Sequence, residues 1–191
     1  YTTLVLIYVD DILITSSKPS AVSTLLQTLK QEFAVKDLGK LHFFLGIEVL
    51  PSSTGFILSQ HRYILDILKR TKMIEAKPIN CPMASSTHLS AFEGDLFSDP
   101  TLFRSTVGAL QYLCITRPDI SFCVNKLAQF MHNPTDLHWQ AVKRLLRYLK
   151  ETVQYGLHFY LAPTASIEAY SDADWTGDQD DRRSTGGYCI F

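Results

Sequence analysis

The chain has 191 residues, enough for one ordinary domain or pieces of two. Hydrophobic residues make up 46%, which excludes a disordered chain. The net charge of −1 excludes a general attraction to nucleic acid, so any such binding must come from local patches.

In chain order, 2–8 (TTLVLIY) and 12–16 (ILITS) predict two strands buried on both faces, because their apolar, β-branched runs are unbroken. Val9-Asp10-Asp11 joins them as a tight hairpin. A helix follows over 19–33, with Pro19 in its first turn and Val22, Leu25, Leu26, Leu29 and Phe33 on one face. After an Asp37-Leu38-Gly39 turn, 41–50 and 55–59 predict a second hairpin, with Gly46 marking a bulge or a close backbone approach. Ser59 is placed to cap a helix running to about Lys72.

Residues 74–101, rich in Pro, Gly, Ser and Thr, predict a long loop, either functional or a linker. Three helices follow: from Asp99-Pro100 to about Ile115, from Pro118-Asp119 to about His132, and from a Thr135 cap to Lys150. The tail predicts strands at Tyr155–Leu161, Ile167–Asp174 and Gly186–Phe191. The fold class is α+β. The apolar runs are too short to span a bilayer and no secretory or transit segment shows, so no membrane partner is expected. Cys81, Cys114, Cys123 and Cys189 lack zinc spacing and are expected to be reduced structural thiols. The chain opens on Tyr1 and ends in a strand-like run, so a fragment of something longer is expected.

Asp10 and Asp11 are the first candidate site. Two adjacent carboxylates repel, and partial burial raises that cost. A divalent cation reverses the sign, since Mg²⁺ takes carboxylate, water and phosphate oxygens. A solvated turn is the alternative, because Asp is common in turns. Lys143, Arg147 and Lys150 share one face of the last helix with Arg144 beside them, while Val142, Leu145, Leu146 and Leu149 take the other side. That pattern suits a phosphate track, or an ordinary solvated face. An unrelated metal phosphohydrolase would need further ligands, and no His or Asp cluster supplies them.

YVDDILITSS resembles the catalytic hairpin of reverse transcriptases. VKDLGKLHFFLGIEV, LSQHRYILDILKR, FRSTVGALQYLCITRPDISFCVNKLAQFM and AYSDADWTGDQDDRRSTGGYCIF follow in order. Together they are similar to the copia-type family of long-terminal-repeat retrotransposons, essentially end to end. The resemblance implies a palm C-terminal part with the start of a thumb at 1–73, a linker at 74–101, a helical thumb and connection at 102–154, and the first strands of a ribonuclease H-like fold at 155–191.

It implies Asp10 as a metal ligand with Asp11 supporting it, Tyr8 and Val9 near the primer terminus, and Asp172 as the first nuclease carboxylate. Mg²⁺ (or Mn²⁺) would be the cofactor. RNA template, DNA primer and deoxynucleoside triphosphates would be the partners, inside cytoplasmic virus-like particles. Related polymerases place a lysine near the leaving pyrophosphate, where Lys36 falls; an ordinary surface lysine is the alternative. The hairpin 41–59 resembles a primer grip, and its aromatics serve equally as core. The Arg117-Pro118-Asp119 signature is expected to cap and orient a helix. The third polymerase carboxylate, the fingers and the remaining nuclease acids are expected outside this chain. The chain by itself is therefore expected to be inactive, with a decayed relic or a weak nucleic-acid-binding module as the alternative.

Overall fold

The computed structural model describes residues 1–84, 87–160, 166–177 and 180–190. It is an α+β protein that divides into two compact units, Tyr1–Val49 and Leu50–Phe191.

The first unit begins with an antiparallel hairpin, β1 (Thr3–Tyr8) and β2 (Asp11–Ser16). Its register pairs Thr3 with Ser16 and Tyr8 with Asp11, and the Thr3 and Ser16 hydroxyls meet at 2.9 Å. Helix α1 (Pro19–Glu32) starts on Pro19, whose fixed φ suits a first helical turn, and packs on β2. Its apolar residues Val22, Leu25, Leu26 and Leu29 are half-buried, whereas Phe33, expected on that face, lies at the C-cap and is exposed. The hairpin strands are not buried on both faces as predicted. Leu4, Leu6 and Ile7 are 63%, 52% and 66% exposed. The physical reason is that the sheet has two strands only and a single helix against one of them.

The strand predicted over 41–50 is broken. β3 (Phe43–Phe44) turns back at Leu45-Gly46 onto β4 (Ile47–Ser52), with Phe44 opposite Ile47. Both turn residues have positive φ, 51° and 78°, the geometry that a two-residue hairpin loop demands and that Gly46 meets without strain. Gly46 therefore makes a turn, not a bulge.

The second unit is built around a helical core. α2 (His61–Arg70) is preceded by Ser59, whose Oγ accepts the His61 N–H at 3.2 Å. It ends earlier than Lys72. Lys72 adopts φ 57°, and the Lys72 and Met73 amides bond back to Lys69 and Leu68, a closing pattern of helix C-termini. α3 (Pro100–Leu113) is capped by Asp99, which accepts the Leu102 N–H at 2.9 Å. The helix predicted from Pro118 to His132 is shorter: a 3₁₀ turn at Pro118–Ile120 leads into α4 (Ser121–Ala128). α5 (Asp136–Glu151) buries Val142, Leu145, Leu146 and Leu149 completely, against Ile64, Phe103, Leu110 and Leu127 of the other helices.

The loop over 74–101 is pinned to α5. Leu96 bridges Thr135, the Phe97 ring stacks on Trp139 at 4.9 Å, and the Asp136 amide bonds Asp95 O. β5 (Gly55–Ser59) pairs with β6 (Leu157–Tyr160) in antiparallel fashion, a hundred residues apart in sequence. β7 (Ala169–Ala173) and β8 (Gly186–Ile190) form a separate hairpin. The strand ends predicted at Leu161 and Phe191 lie outside the described residues.

Candidate active site

Tyr8, Val9, Asp10 and Asp11 come together at the tip of the β1–β2 hairpin. Tyr8 and Asp11 face each other as the last ladder pair, so Val9-Asp10 is a two-residue turn. Val9 has φ 52°. For a β-branched residue this left-handed conformation is strained, by about 1–3 kcal/mol. All four residues are exposed. Two carboxylates adjacent in sequence thus sit at the end of a short, strained turn, Asp10 in the turn and Asp11 at the start of β2. They are hard oxygen donors, and Mg²⁺ is commonly held by one or two carboxylates with waters and phosphates completing its shell. Asp10 and Asp11 fit that role. No group of three or more His, Cys, Asp or Glu suited to a metal occurs among the described residues.

Lys36 stands exposed in the loop after α1. Next to it, Asp37 accepts the Gly39 N–H at 2.9 Å and pairs with Lys30 at 3.7 Å, which shapes that loop.

In the second unit the basic face of α5 divides in two. Arg147 Nε donates to Lys77 O at 2.6 Å, and Lys150 Nζ donates to Ala76 O at 2.9 Å, so these two cations tie down the segment after α2. Lys143, Arg144 and the rest of Arg147 line a cleft of about 550 Å³. Arg144 Nε is buried and has no hydrogen-bond partner among the described residues. Met73, Met83, His88 and Leu137 line the same cleft, and sequence patterning did not point to them.

Asp172 lies on β7 opposite Gly187, and its Oδ1 accepts the Ala173 N–H at 2.9 Å. Asp174 accepts the Thr185 N–H, closing the hairpin. Both acids line a cleft of about 420 Å³ whose other wall is α4 and its C-cap, with Asn125, Lys126 and Gln129. Helical periodicity gave no reason to single out Asn125, Lys126 and Gln129, because they are polar positions on and just after a short helix.

Arg117 is 1% exposed. Its guanidinium forks onto Asp119 (2.9 and 2.7 Å) and donates to Thr152 O and Oγ1 (2.9 and 2.7 Å). The Tyr148 and Tyr155 rings flank it at 5.7 and 5.4 Å. Burial alone would raise the Asp119 carboxyl. The Arg117 guanidinium outweighs that, aided by the Tyr148 hydroxyl, and holds it below the usual range. This is a clamp joining the α3–α4 connection to the end of α5.

Comparison with known proteins adds the decisive observation. The family model described as reverse transcriptase (RNA-dependent DNA polymerase) matches residues 2–85, which include the Asp10-Asp11 hairpin. The Pol polyprotein of transposon RE1 from Arabidopsis thaliana is 55% identical over 97% of this chain. The chain belongs to the reverse transcriptase family of retrotransposon Pol polyproteins. The RE2 polyprotein of the same plant is 51% identical over the same share. This chain spans 13% of the length of each of those polyproteins. An uncharacterized Arabidopsis mitochondrial protein, AtMg00810, is 42% identical, and this reverse-transcriptase segment covers 77% of it. No solved structure matches this chain.

Proposed function

We propose that this chain is part of a copia-type reverse transcriptase. It carries the metal-binding hairpin of the palm in 1–73, a linker at 74–101, a helical thumb and connection at 102–154, and the opening of a ribonuclease H-like fold in 155–191.

The observation that carries the proposal is the strained Val9-Asp10 turn, which presents two carboxylates at the tip of the matched hairpin. Asp10 would hold Mg²⁺ (or Mn²⁺), with Asp11 supporting it. When bound, the ion supplies charge stabilisation at the reacting phosphate oxygens. The chain's own residues do the positioning. Tyr8 and Val9 would lie near the primer terminus, and Lys36 would neutralise charge on departing pyrophosphate. The parent reaction is attack of the primer 3′ hydroxyl on the α-phosphate of a deoxynucleoside triphosphate, on an RNA or DNA template. Lys143, Arg144, Arg147 and Lys150 would face nucleic acid, and Asp172 would serve the nuclease. The parent would act in cytoplasmic virus-like particles, and the chain by itself would be inactive.

A second reading is a non-catalytic nucleic-acid-binding module. It is supported by the cleft that Lys143, Arg144 and Arg147 line with no acid among its lining residues.

Mn²⁺ titration of the chain, read by paramagnetic broadening, tests the hairpin. Asp10→Asn should weaken binding by about tenfold, since it removes one of two charged oxygen ligands. Equal binding by parent and variant would refute the site. Primer extension by the full polyprotein bearing Asp10→Asn should fall to background. Undiminished extension would reject the polymerase role of Asp10.

A further inference from the structure

We infer that the cleft lined by α5 and by residues 73, 82, 83 and 87–89 binds one unstacked nucleotide of a single-stranded polynucleotide. Its phosphate would be held by Lys143, Arg144 and Arg147, and its base would rest on Met73, Met83 and Leu137. The cleft volume, about 550 Å³, lies in the range of small-ligand pockets. Its lining contains those three cations and no acid, and none of them forms an ion pair among the described residues. Unneutralised positive charge in a concave site focuses the field on an anion.

Two further details point to a ligand. Arg144 Nε is buried without an acceptor among the described residues, a costly condition for a charged donor at the cleft wall. Arg147 is held by its bond to Lys77 O, which fixes the guanidinium before any ligand arrives. The rest of the site is apolar and polarizable. Thioether side chains adapt to a flat aromatic face, and Leu137 adds to that wall. Phosphate alone would not need this surface. A stacked duplex offers only its backbone to a cleft of this size, whereas a single strand can turn a base into it. The choice of a polynucleotide over other polyanions rests on the reverse-transcriptase reading.

The test is fluorescence anisotropy of the full chain with labelled oligothymidylate of about twelve nucleotides, within the usual single-strand site size. The comparison probes are an abasic strand of equal length, the corresponding duplex and polyphosphate of equal charge. The intact strand should bind about tenfold more tightly than the abasic one, the factor expected from seating one base. Met83→Ser should erase that difference while leaving abasic binding unchanged. Lys143→Gln should lower the slope of log affinity against log salt by about 0.7. Both substituted side chains are partly exposed, and an unchanged thermal melt verifies folding. Equal binding of intact and abasic strands, or of polyphosphate, would overturn the proposal, as would an unchanged salt slope. Failure here is separable from failure of the polymerase reading, because Mn²⁺ binding at Asp10 is read in the other unit.

Discussion

Replacing Arg117 by Met removes a buried side chain of the second unit that makes four hydrogen bonds. Met keeps much of the apolar stem but leaves no donor. Thr152 O and Oγ1 lose the donor they accept from, although the Thr152 hydroxyl still donates to Tyr148 O, and Asp119 loses its forked cation. The two environments differ. The Arg117 side chain is 2% exposed, so its four hydrogen bonds are screened little by water, whereas Asp119 is 36% exposed and can partly rehydrate. Asp119 also keeps the Tyr148 hydroxyl at 2.9 Å. Breaking a buried pair by removing one partner costs about 3–5 kcal/mol, and the exposure of Asp119 places Arg117→Met near the lower end.

Arg117→Lys keeps the charge but cannot fork onto both acceptors, so it should not restore stability. The carboxylate's share depends on pH. Asp119 is held below its ordinary value, so its stabilisation is present above the unfolded carboxyl pKa and lost as pH falls through the lowered folded value. The gap between parent and Arg117→Met should therefore narrow in acid. Urea unfolding at neutral pH and in acid measures both. A neutral-pH loss under about 1 kcal/mol, the level of an exposed pair, would refute the clamp.

Four other outcomes are expected. His138 is buried, accepts the Thr135 N–H at Nδ1 (2.9 Å), and reaches Ser90 O through Nε2 (3.2 Å), which fixes a neutral ring protonated at Nε2; burial lowers its pKa. Stability should therefore be complete above the unfolded histidine pKa and decline as pH falls through the lowered folded value, a decline that His138→Gln reduces in pH-dependent melts. Leu146→Ala should cost about 2–5 kcal/mol in urea unfolding, because Leu146 is fully buried in the helical core. Gly156→Ala should loosen the β5–β6 pair, since an added Cβ would press on Leu58 O and the Ile57 side chain, and faster amide exchange along Leu157–Tyr160 is the readout. The apolar β1–β2 hairpin should drive self-association, and Val5→Lys with Ile7→Lys should reduce light scattering; a monomeric parent at high concentration would count against this.

Helix α5 was the most legible element. Its apolar face, its Thr135 cap and its basic face all follow from spacing, and the structure buries the four predicted aliphatic residues completely. What spacing could not show is that Arg147 and Lys150 hold carbonyls of a segment 70 and 74 residues away, because that contact depends on tertiary folding. The same limit applies to β6, whose partner β5 lies a hundred residues upstream. The Leu45-Gly46 turn was missed for a local reason. The apolar run masks it, and only Gly46 hints at a positive φ. The hairpin strands were located by their β-branched runs, but continuous apolarity implies burial only when a further layer exists to provide it.

The Asp10-Asp11 tip departs from stable design in two independent ways. Adjacent carboxylates repel, and a valine occupies a conformation that glycine adopts without strain. Neither feature improves the hairpin as a folding unit. Val9→Gly should relieve the backbone strain, and Asp11→Asn should relieve the repulsion. Each is therefore expected to leave the first unit as stable as the parent or more so, even as Asp11→Asn weakens Mn²⁺ binding. Local rules broken at one place, without a compensating contact there among the described residues, are expected where a ligand supplies the missing stabilisation. A substitution that stabilises the fold while weakening the metal site would separate the two demands on this turn.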